Sequence, residues 1–109
     1  MKGMEGGLMN RELDSNRKEQ LIEILTNELK VLRAKVQISQ QELSDRLGIS
    51  RQTYVAIENK SQKMAWNNFL ALLLIFKSND DTAKIIDWIG AYPPELEQYI
   101  KLAENNGNN

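Results

Sequence analysis

Apolar residues return at helical spacing along most of the chain. Leu21, Leu25, Leu29, Leu32 and Val36 recur every three or four positions, and Ile22 widens the stripe. That pattern predicts an amphipathic helix beginning near Asp14 or Ser15, with Thr26 and Asn27 as a candidate break. A different grammar follows between Ser39 and Asn59. Ser39 stands three residues before Glu42, the S-x-x-E spacing in which each residue satisfies a free backbone N–H of the other. The helix so opened runs from Gln40 to Leu47, because Gly48 supplies a left-handed residue at little steric cost. Ile49 plugs the corner and Ser50 caps a second helix reaching about Asn59. Further on, Phe69 to Phe76 is apolar all round within a helix from about Trp66 to Phe76, so it needs cover on more than one side. Asp80 to Ile89 reads as another helix closed by Gly90, and Pro93-Pro94 opens a last one from Glu95 to about Ala103. Residues 1–13, with three glycines and no period, are expected to be a mobile tail, and the polar NNGNN end likewise.

Two short capped helices joined through one glycine make a helix-turn-helix unit. Thr53, Tyr54 and Ile57 share one face of its second helix and are expected against Leu43 and Leu47, with small Ser44 where the helices cross. The opposite face carries Arg51, Gln52, Val55, Ala56 and Asn59. A helix entering a DNA major groove reaches deepest with its first turn, where Arg bonds guanine and Gln bonds adenine bidentately. The competing reading is a solvated helix face. Within a capped helix-turn-helix frame, Arg51 and Gln52 are the expected base readers, flanked by Thr53, Val55 and Ala56 beside thymine methyl groups. Gln40, at a helix N-terminus, is expected to hold a phosphate, with Asn59, Lys60 and Lys63 as further phosphate donors.

SQQELSDRLGISRQTYVAIEN, preceded by LKVLRAKV, resembles the phage repressor and Cro-like helix-turn-helix regulators over about Glu28 to Phe76. Gln40, Ser44, Gly48 and Ile57 stand at the family spacing, and Ile57-Glu58-Asn59 is a typical ending. The resemblance implies an all-α, five-helix domain that binds a partly palindromic operator as a dimer. It also implies an ion pair between Arg33 and Glu58, and a first helix starting near residue 27. A helical lead-in over 15–25 would then precede helix one over 27–36, their continuity left open. Gln37 and Lys60 sit where the family often has glycine, Tyr54 replaces a usual aliphatic, and Ala65 stands at a common serine cap, costing about 1 kcal/mol.

At 109 residues, one domain over 14–90 with a C-terminal extension over 91–109 is the expected organisation. The chain has no cysteine and no histidine, so thiolate metal sites are excluded and the commonest general base is missing. No cofactor or catalysis is expected: Asp80 and Asp81 have an ordinary helix-start explanation. No apolar run is long enough for a membrane span, which points to a cytoplasmic protein. The net charge of −1 hides an island. Residues 30–63 carry seven basic and three acidic side chains, whereas residues 1–29 have four and six, and residues 64–109 three and six. Screening over about 8–10 Å makes that local excess the charge a phosphate feels. The expected function is therefore a repressor binding double-stranded operator DNA as a homodimer through apolar C-terminal helices. The alternatives are an antitoxin with a toxin partner, or a protein adapter that has lost DNA binding; polymerase is a further candidate partner.

Overall fold

The computed structural model describes residues 12–103, so the expectations for residues 1–11 and for the NNGNN end fall outside the described residues. The described residues form six helices and no strand. They are α1 (Ser15–Val36), α2 (Gln40–Leu47), α3 (Arg51–Glu58), α4 (Trp66–Lys77), α5 (Asp80–Ile89) and α6 (Pro94–Ile100).

Lead-in and helix one are a single helix. Asp14 caps α1 by accepting the Arg17 N–H at 2.8 Å, and 22 residues follow without a break. Thr26 does not interrupt it, because its hydroxyl donates to the Ile22 carbonyl at 2.7 Å one turn back. A hydroxyl bonded back to the preceding turn sits inside a helix instead of capping a new one, so the apolar stripe runs on through Thr26. Leu21, Ile22, Leu25, Leu29 and Leu32 are all buried, and α1 packs against α3, α4 and α5.

The helix-turn-helix lies across the C-terminal half of α1. Ser39 and Glu42 form the reciprocal cap: the Ser39 hydroxyl accepts the Glu42 N–H at 3.0 Å, and the Glu42 carboxylate accepts the Ser39 N–H at 2.8 Å. Ser44 is fully buried at the crossing with α3, which a larger side chain would push apart. Tyr54 and Ile57 are buried as the pattern required, and Leu43 with them, while Thr53 and Leu47 are partly covered.

Behind this unit, α4 inserts Phe69, Leu72, Leu73 and Phe76 into the core. No side chain caps its start at Ala65. Asn79, unremarked in the sequence, caps α5 by accepting from the N–H groups of Asp81 and Thr82. Helix α6 is shorter than the sequence suggested, ending at Ile100 with Lys101 extended. Leu102 beyond it is 85% exposed, so no burial offsets the cost of another turn. Leu96 nevertheless joins the common core, with Leu13 and Ala91. The N-terminal half of α1 pins this extension. Arg17 reaches Glu95 at 2.6 Å, and the Lys18 ammonium lies between the Trp66 and Tyr99 rings, 5.2 and 5.0 Å from their centroids.

Four helices close through a left-handed residue, each with the paired backbone bonds that recover two orphan carbonyls. Glycine provides it at Gly48 and Gly90, but Gln37 (φ 56°) follows α1 and Lys60 (φ 70°) follows α3. These are the two places where the resembling family often has glycine. A side chain in that region costs about 1–2 kcal/mol, part of which glycine returns as lost unfolded-state entropy. Gln37→Gly is therefore expected to stabilise the fold by about 0.5–1 kcal/mol. Gly48→Ala meets no atom within 4 Å, so its expected loss of about 1 kcal/mol is backbone strain alone. Urea titration of both variants checks the opposite signs.

Candidate nucleic-acid interface

Helix α3 begins at the capped corner. The Ser50 hydroxyl accepts the Thr53 N–H at 3.0 Å and donates to the Thr53 hydroxyl oxygen at 2.9 Å, which also sets that side chain. Arg51 and Gln52 project into solvent from the first turn, and neither makes a side-chain hydrogen bond among the described residues. Val55 and Ala56, a turn further, are half-buried, so they present small apolar edges rather than long arms.

The other end of α3 is fixed by charge. The Glu58 side chain is only 2% exposed, and both its oxygens are occupied. Arg33 of α1 donates Nε–H to Oε2 at 2.9 Å and Nη2–H to Oε1 at 3.0 Å, a bidentate pair. Gln40 of α2 donates its amide to Oε1 at 2.6 Å, and the Tyr54 hydroxyl donates to Oε2 at 3.1 Å. Arg33 also donates to the Ile38 carbonyl, which ties the turn before α2 into the same cluster. Burial pushes the Glu58 carboxyl up, but the hydrogen bonds from Arg33 and then Gln40, with the Arg33 charge, outweigh it and hold the group below the ordinary carboxylate range. Burial, followed by the adjacent carboxylate, pushes the Tyr54 phenol up, so it stays a neutral donor.

A family model described as helix-turn-helix matches residues 29–64, from the middle of α1 through the loop after α3. Neither the curated proteins nor the solved structures yielded a match. Residues 29–64 are a helix-turn-helix of the Cro-like family. A domain of that family binds DNA in transcriptional regulation.

Seen on this Cro-like unit, the expected phosphate donors have unequal situations. Lys60 is exposed on its left-handed turn. Lys63 lies 3.3 Å from Glu19 of α1, an exposed pair that solvent and salt weaken. The Asn59 side-chain oxygen accepts the Ser61 N–H at 3.1 Å, and its amide nitrogen remains a donor. Gln40 has committed one of its two amide N–H groups to Glu58. That bond, and the part of Tyr54, were missed from the sequence. A buried tyrosine four residues before a buried glutamate on one helix face is the signal that was available.

Arg33→Ala is expected to cost about 3 kcal/mol, because it strands a buried carboxylate rather than merely removing a contact. The folded-state carboxyl is depressed, so its contribution is present above the ordinary carboxylate range and is lost as pH falls through the folded value. Denaturant titrations from pH 7 down to pH 3 should therefore show a shallower acid loss in Glu58→Gln than in the wild-type chain.

Proposed function

We propose that this chain is a sequence-specific transcriptional regulator, working in the cytoplasm as a repressor that covers an inverted-repeat operator. The observation that carries the reading is the unbonded exposure of Arg51 and Gln52 on the first turn of a helix whose far end is locked. In this reading, Arg51 and Gln52 bond base edges in the major groove, with Thr53, Val55 and Ala56 against thymine methyl groups. Phosphate contacts come from Lys60 and Lys63, from Asn59, and from Gln40 at the N-terminus of α2. The acidic flanks keep affinity for random DNA low, so discrimination rests on base contacts and on pairing of subunits.

Two recognition helices about 34 Å apart meet successive major grooves, and a two-fold homodimer supplies that spacing. Support for such pairing lies on α4 and α6. A groove of about 360 Å³ runs between Leu70, Leu73, Leu74, Tyr92 and Ile100, and Leu74 is 75% exposed. The same surface also suits a toxin as partner. Co-purification of a second small protein with the chain would favour that antitoxin reading.

Selection of bound duplexes from a random pool tests the function, with an inverted repeat as the expected product and an unenriched pool as the result that ends the proposal. Gln52→Ala should relax preference at one base position, at about 1–3 kcal/mol. Lys60→Gly, which keeps the left-handed turn, should weaken all duplexes alike and lower the salt slope by about one. Leu74→Glu should convert dimer to monomer in sedimentation while leaving the helical spectrum intact. An unchanged sedimentation profile would remove the α4–α6 face from the interface.

A further inference from the structure

Three helices meet at one carboxylate, and one of the four donors there departs from the pattern the chain otherwise resembles. Where an aliphatic side chain is usual, Tyr54 places a hydroxyl 3.1 Å from Glu58 Oε2. The ring is fully buried, so the phenol has no water to bond in place of the carboxylate. Tyr54 precedes Glu58 by one turn on the same face of α3, and its bond selects a single direction for the glutamate side chain. In that direction Oε2 meets Arg33 Nε–H, while Oε1 meets Arg33 Nη2–H and the Gln40 amide.

We infer that Tyr54 is a positioning residue for DNA reading, acting through Glu58 to fix how α3 is seated against α1 and α2. This rests on the base-reading role proposed above for Arg51 and Gln52. The reach is short: seven residues separate Glu58 from Arg51, about 10 Å of helix. A shift of the anchored end is thus passed to the reading end nearly undiminished, and bidentate base contacts tolerate only about 0.5 Å. Without the hydroxyl, one lone pair of a buried carboxylate is unmet and the glutamate rotamer is no longer chosen. Arg33 and Gln40 must then follow it.

Tyr54→Phe tests this, because the ring and hence the core volume remain. Its partner in the experiment is Ile86→Val, which thins the core at α5, a helix that contributes none of the four donors. The readout is the ratio of affinities for the selected duplex and for a scrambled one, measured well below the melting temperature of each variant. The expected result is a loss of about tenfold in that ratio for Tyr54→Phe and no change for Ile86→Val. A ratio equal to wild type in Tyr54→Phe overturns the inference, and so does an equal loss in both variants, which would mark a general effect of stability. A second measurement needs no DNA. Hydrogen exchange at Arg33 Nε–H should be faster in Tyr54→Phe than in Ile86→Val, and equal rates overturn the inference. Should the wild-type chain prefer no duplex, the base-reading proposal fails alone and the exchange rates still decide the role of Tyr54.

Discussion

A carboxylate removed from water must be met by donors on every side, or it will not remain charged. Glu58 is met by four, and they come from α1, from α2 and from its own helix. Hydrophobic contact sets which faces meet but tolerates sliding and small rotations. A charge with bidentate geometry does not, since displacing it by an ångström leaves lone pairs unmet at low dielectric. With its side chain only 2% exposed, Glu58 has no water to relax this demand. The outward face of α3, with Arg51 and Gln52, inherits its orientation from that arrangement.

The division of labour along α3 follows. Its C-terminal end is committed inward through Tyr54, Ile57 and Glu58, all buried. Its N-terminal end is committed outward through Arg51 and Gln52. Ser50 holds the first turn without using either long side chain, because its hydroxyl bonds the backbone and Thr53. Eight residues therefore serve two masters without competition, which a helix with the charges reversed end for end would not allow.

Local signals make much of this legible in the sequence. The boundaries of α2 and the turn at Gly48 follow from caps and a left-handed glycine, which act within four residues and so can be read from four residues. The stripe of α1 was equally plain. What local signals could not decide was its continuity at Thr26, since a threonine opens a helix or sits within one according to whether its hydroxyl bonds ahead or behind. The exposed placing of Arg51 and Gln52 was expected from the face opposite Tyr54 and Ile57. The commitment of Gln40 to Glu58 was not, because those residues are 18 apart and only the fold brings them together. The early end of α6 was missed for a related reason: whether Leu102 finds a neighbour is a tertiary fact.

The unbroken α1 has a bearing on what counts as the unit of folding. The family match begins at residue 29, in the midst of a 22-residue helix whose earlier turns carry Leu21, Ile22 and Leu25 into the shared core. A fragment starting there would keep α3 and lose those three side chains from the core that α1 shares with α4 and α5. The matched segment is thus narrower than the core it shares. The core that supports it reaches back to Leu13, one residue before the aspartate that caps the long helix.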